Sequence, residues 1–170
     1  MRGFTLLELM TTLAIFSLVA TLSVASLGPM RDRYAHDQAV QMVVATGVRT
    51  RHLSRDASRC HVIDAGDASG NTLAAGFDGD RLHIQRRLTA DCDSAQPTAA
   101  IVQSVEWVRL PRGMEVQVST GKAEWRPNGR LQTDAVAELT VKMKSTNRQT
   151  IVRFLPQGTV CVVQPNGACL

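Results

Sequence analysis

The segment Gly3-Phe4-Thr5-Leu6-Leu7-Glu8-Leu9-Met10 opens an apolar run that reaches Leu27. Counted from Phe4 the run is 24 residues long, and from Leu9 to Leu27 it holds no charged residue. At about 1.5 Å per residue it spans roughly 36 Å as a helix, enough to cross a hydrocarbon core. It reads as a membrane-spanning helix over residues 4–28. A cleavable secretory signal has a longer basic head, a shorter apolar core and a small-x-small site after that core. Ala20, Ala25 and Ser26 imitate such a site, so a signal peptide is the competing reading. Glu8 is the exception in the run. An acid inside an apolar helix costs about 2.5–3.5 kcal/mol at the helix centre and less near its end. Its presence points to a partner absent from the monomer; the alternative is a carboxylate that snorkels to the headgroups and does nothing more.

Gly28-Pro29 follows the run. Proline removes one helix hydrogen bond and clashes one turn back, which predicts a kink or break there. Beyond it Tyr34, Val40, Met42, Val43, Val44, Val48 and Leu53 recur at roughly helical spacing, with Arg31, Asp32, Arg33, Asp37, Arg49 and Arg51 at polar positions. This predicts an amphipathic continuation over 29–58 with one face packed on the domain that follows. From residue 59 onward the period changes to two. Leu82 and Ile84 alternate with Arg81, His83 and Gln85. Met114, Val116 and Val118 alternate with Glu115, Gln117 and Ser119. Ala137, Leu139, Val141 and Met143 alternate with Glu138, Thr140, Lys142 and Lys144. Such patterns mark half-buried strands. Turns are expected at Pro127-Asn128-Gly129, Ser145-Thr146-Asn147, Gln157-Gly158 and Pro165-Asn166-Gly167. Loops are expected over 65–71 and 90–98. The predicted class is α+β: a long N-terminal helix packed on an antiparallel β domain over 59–170.

At 170 residues the chain has room for one domain and an anchor. Aromatic content of 4% argues against a base-stacking platform, and a net charge of +4 does not by itself imply nucleic acid. The cysteines are Cys60, Cys92, Cys161 and Cys169. An even count behind a membrane anchor suggests an oxidising compartment such as the periplasm. Four cysteines allow three pairings, and the sequence does not choose among them. Cys161 and Cys169 lie close enough in the chain to close a small loop, and Cys60 with Cys92 is the complementary pair. The alternative is four free, partly buried thiols.

The segment Gly3-Phe4-Thr5-Leu6-Leu7-Glu8-Leu9, with the apolar helix behind it, resembles the cleavage and methylation motif of type IV prepilins. Downstream, Leu110-Pro111-x-Gly113-Met114-x-Val116, Glu124-Trp125-Arg126-Pro127-Asn128-Gly129-Arg130 and Ile151-Val152-Arg153-Phe154-Leu155-Pro156-Gln157-Gly158-Thr159-Val160 resemble the GspH/FimT family. That family comprises the H-type minor pseudopilins of type II secretion and the FimT-type minor pilins. The resemblance implies a leader of residues 1–3, cleaved between Gly3 and Phe4 by a prepilin peptidase and methyltransferase that N-methylates Phe4. It implies that Glu8 pairs with the Phe4 amine of a neighbouring subunit, which supplies the missing partner. It further implies a single-pass inner-membrane protein with a periplasmic C-terminal domain. Its partners would be other pilin or pseudopilin subunits and an inner-membrane assembly platform, in a periplasmic or surface filament. Arg2 lies on the expected cytoplasmic side. Arg31 and Arg33 beyond the other end offset it, so orientation rests on the motif.

No enzyme signature accompanies this pattern. There is no Ser/His/Asp motif, no HExxH and no glycine-rich phosphate loop. No cofactor is implied. A metal site from Cys60, His61 and Cys92 lacks a second ligand pair at zinc spacing, and the scattered aspartates form no contiguous calcium loop. Arg49, Arg51, Arg55 and Arg59, with Arg81, Arg86 and Arg87, are the candidates for a phosphate-binding patch. A solvated helix face, interleaved with Asp56, is the simpler reading, and residues 158–170 hold no basic residue where the DNA-binding FimT-type proteins of the family resemble one another in a basic C-terminal tail. Nucleic acid is therefore not an expected partner.

Overall fold

The computed structural model describes residues 5–88, 92, 102–120, 123–132, 135–146 and 148–169, without the side chains of 22–27, 102 and 120. Helix α1 runs over Leu6–Asp56. The strands follow in order: β1 His61–Gly66, β2 Asp78–Gly79, β3 Arg81–Arg87, β4 Val102–Arg109, β5 Met114–Thr120, β6 Ala123–Trp125, β7 Ala137–Met143, β8 Gln149–Phe154 and β9 Val160–Val162. The chain divides into two compact units, Met1–Ala35 and His36–Leu170.

The first unit is the N-terminal part of α1. Its side-chain hydroxyls turn back onto the helix: Thr11 donates to the Glu8 carbonyl at 3.0 Å, Ser17 to Ala14 at 2.9 Å and Thr21 to Leu18 at 2.8 Å. The polar groups are thus satisfied within the helix, as an apolar environment requires. Leu6, Leu13, Ile15 and Phe16 are 63–77% exposed in the isolated chain. Among the described residues no helix is long and apolar enough to cross a membrane. The uncharged run of the sequence continues through residues 22–27, whose side chains lie outside those described. The break expected at Pro29 is not seen; the helix continues through it. Proline removes one N–H, and the bonds of the turns on either side keep the backbone helical.

The second unit packs the end of α1 on two antiparallel sheets, a four-stranded one in the order β4-β3-β1-β6 and a five-stranded one in the order β2-β5-β7-β8-β9. This is the expected α+β class. The buried helix face reads His36, Ala39, Val40, Val43, Thr46, Thr50 and Ser54, whereas Tyr34 and Val48 are exposed. Of the apolar residues in the sequence pattern, Val40 and Val43 mark the face, whereas Tyr34 and Val48 do not. Small residues mark it too, because helix and sheet approach closely: a Cβ built on Gly47 would lie 2.4 Å from Phe154 Cε1. The buried hydroxyls cost little, since Thr46 and Thr50 donate to carbonyls four residues back at 2.6 and 2.8 Å.

Trp125 of the first sheet and Phe154 of the second, both fully buried, meet edge to face at 5.3 Å and 88°. Strands β5 and β7 bury the expected apolar positions. Strand β3 differs from its alternating pattern. Its polar His83 and Gln85 are buried as well as Leu82 and Ile84, so both faces of β3 are covered. Strand β1 extends to Gly66, so the loop expected over 65–71 starts at Asp67. Apart from Cys92, the loop expected over 90–98 lies outside the described residues.

Candidate functional site

Gly3 and Phe4, the expected processing residues, lie outside the described residues. Thr5 caps α1. Its backbone N–H and its hydroxyl both donate to Glu8 Oε2 at 3.0 Å, and Glu8 N–H donates to Thr5 Oγ1 at 3.3 Å. This is a reciprocal capping box, and it was legible as Thr5-x-x-Glu8 ahead of an apolar run. In the isolated chain Glu8 is neither orphaned nor snorkelling; it satisfies the first turn of its own helix. Its carboxylate lies on the peptide N–H that follows Phe4, close in sequence to the terminus that cleavage would free.

In the second unit Cys60 is joined to Cys92 and Cys161 to Cys169, with Cα separations of 5.8 and 5.4 Å. Cys60 and Cys92 are therefore unavailable as thiolate ligands. Among the described residues no group of three His, Cys, Asp or Glu side chains is placed to hold a metal.

The arginines do not form the patch drawn from the sequence. Arg87 is fully buried against the equally buried Glu124, with Nε bonded to Oε1 and a second bond from NH2 to Oε2 at 3.0 Å. The pair lies across the sheet from β3 to β6, spanning β1. Arg49 is bound to Glu106 at 2.7 Å, Arg59 donates to the Leu88 carbonyl at 2.5 Å, and Arg86 bonds to Gln103. Sequence spacing could not reveal the Arg87–Glu124 pair, whose members are 37 residues apart.

A polar cluster gathers around the buried His83 and Gln85 of the first sheet. Trp107 stacks on His83 with ring centroids 3.7 Å apart, and a Cβ on Gly66 would meet the indole at 2.2 Å. Thr72 Oγ1 and Gln85 Nε2 both lie 2.8 Å from His83 Nδ1, and His83 Nε2 lies 2.9 Å from Ser104 Oγ. The Gln85 amide donates to Nδ1, so the neutral ring carries its proton on Nε2 and donates to Ser104. Protonating Nδ1 would set one donor against another. Burial pushes His83 down to about 4, and burial also holds His36 and His61 below the ordinary histidine range.

The unfolded chain therefore binds more protons than the folded one between about pH 4 and 6.5. Stability is full above 6.5 and is expected to fall as the pH drops toward 4, by up to a few kcal/mol at about 1.4 kcal/mol per pH unit. Urea unfolding across that range checks it, and His83→Gln is expected to flatten the slope.

Residues 1–24 match the family described as the prokaryotic N-terminal methylation motif. No curated protein matches the chain. Among solved structures the chain is similar to the type IV minor pilin FimU of Pseudomonas aeruginosa PAO1, with 14% identity and a TM-score of 0.55, covering 84% of this chain and 97% of that one. At that identity the likeness establishes the fold. The chain thus joins a prokaryotic N-terminal methylation motif to a fold like that of a type IV minor pilin.

Proposed function

We propose that this chain is a minor pilin-like structural subunit, and more narrowly a subunit of a type II secretion pseudopilus that supports protein export across the outer membrane. It catalyses nothing itself. The observation that carries the reading is a methylation motif set directly ahead of a pilin fold. In this account a prepilin peptidase and methyltransferase cuts between Gly3 and Phe4 at the cytoplasmic face and methylates Phe4. Residues 4–28 then hold the chain in the inner membrane, and residues 59–170 fold in the periplasm, where an oxidising environment suits both disulfides.

On assembly the exposed apolar side chains of α1 exchange lipid for the helices of neighbouring subunits. Each large apolar side chain left in water would cost about 1.5–3 kcal/mol, so the filament must cover them. Glu8 pairs with the Phe4 amine of a neighbour. An ion left unpaired in that setting is strongly unfavourable, which makes the pair a device for subunit register.

The test is the secreted-protein profile of a clean deletion strain beside its parent and a complemented strain. Exported proteins are expected to stay in the periplasm and to be restored by complementation. The second reading, a minor type IV pilin for pilus assembly, adhesion or DNA uptake, is favoured by the likeness to FimU. Unchanged secretion with fewer surface pili would select it.

A further inference from the structure

His36 is buried on α1, and among the described residues neither of its ring nitrogens has a hydrogen-bond partner. Buried polar groups are as a rule satisfied, so this bare imidazole stands apart from the other two buried histidines. His61 Nδ1 lies 3.1 Å from the Arg59 carbonyl, and His83 is bonded through both nitrogens. Two charges face His36. On its own helix Asp37 Oδ1 is 3.6 Å from Nδ1, and the same oxygen is 3.6 Å from an Arg148 guanidinium nitrogen just ahead of β8. Both separations are too long for a hydrogen bond. From β7 the Val141 backbone faces the ring. A groove of about 960 Å³ opens beside this point, between Asp37, Val40, Gln41 and Val44 of α1 and Arg148 and Val162 of the β domain. The helix is therefore packed on one side here and open on the other.

A neutral imidazole suits this place better than an imidazolium. Burial and the Arg148 cation hold the ring below the ordinary histidine value of 6.5, and Asp37 and the Val141 backbone offset them only in part. With the helix undocked the ring would stand in water, take up its proton at the ordinary value and pair with Asp37. Proton uptake therefore favours undocking. We propose that His36 is a proton-operated catch: neutral, it lets residues 36–44 of α1 stay packed on the β domain, and protonated, it releases them while Asp37 exchanges Arg148 for the imidazolium. The hold of the β domain on its helix then follows the pH of the compartment. The catch works within one chain, whatever filament that chain joins.

The experiment is amide hydrogen exchange of the full-length chain in detergent micelles at about pH 7.5 and about pH 5, with each rate corrected for the intrinsic effect of pH. A helix that loses its packing loses most of its protection, so the amides of residues 36–44 report undocking. Their protection is expected to fall by up to about thirtyfold between the two pH values, the limit for a ring that titrates at 6.5 only when released. At the lower pH they are expected to exchange faster than the amides of β1 and β3, which marks a local opening. His36→Gln is expected to keep the protection of 36–44 to within about threefold across the same range, whereas His83→Gln is expected to retain the full response. The proposal is overturned if the parent shows no loss at 36–44, if His36→Gln loses as much as the parent, or if His83→Gln abolishes the response. Exchange of 36–44 at the same rate as β1 and β3 at the lower pH also overturns it, because only global unfolding is then at work. That comparison needs the parent alone, so it decides even where His36→Gln does not fold.

Discussion

Glu124→Ala is expected to destabilise the β domain by about 3–5 kcal/mol, and Arg87→Ala by a similar amount. Both side chains are fully buried and bonded to each other through two nitrogen–oxygen contacts. Removing one leaves the other charge in a low-dielectric interior with no way to reach water. An exposed pair such as Arg49–Glu106 is worth at most about 1 kcal/mol by comparison. The double change Arg87→Met/Glu124→Leu removes both charges at similar volume and is expected to be far milder than either single change. Urea unfolding followed by Trp107 and Trp125 fluorescence measures all three. Single variants that lose no more than a surface pair would show that the charges reach solvent.

Glu8→Ala is expected to insert in the membrane normally and to enter filaments poorly, read as its share of the sheared filament fraction against the membrane pool. Two effects must be separated, because Glu8 also closes the capping box with Thr5, worth about 1 kcal/mol to the first turn. Glu8→Gln keeps a capping acceptor and loses the charge. The account predicts that Glu8→Gln incorporates as poorly as Glu8→Ala. Normal incorporation of Glu8→Gln would assign the role of Glu8 to capping, and normal incorporation of Glu8→Ala would sink the pairing with Phe4 altogether.

The long helix, the switch to period two and three of the turns were legible because they depend on local chemistry. Apolar spacing, and glycine at Gly129, Gly158 and Gly167 where φ is positive, report directly on backbone geometry. The packed face of α1 is only partly legible in its large residues: Val40 and Val43 lie on it, and Tyr34 and Val48 do not. Close approach to Phe154 selects Gly47 and small hydroxyl residues, and that selection depends on a partner more than 100 residues away. The burial of His83, Gln85 and Arg87 was invisible for the same reason: their neighbours Thr72, Ser104, Trp107 and Glu124 arrive from other strands and loops. At the N-terminus the methylation motif and the capping box Thr5-x-x-Glu8 are both readable as strings, because each depends on neighbouring residues alone.

The measurement that tests the central claim most directly is the mass of the N-terminal peptide of the protein isolated from its own membrane. The account predicts a chain that begins at Phe4 and carries one N-methyl group. A chain that keeps Met1, or that begins beyond Ala25 after signal-peptide removal, would contradict it.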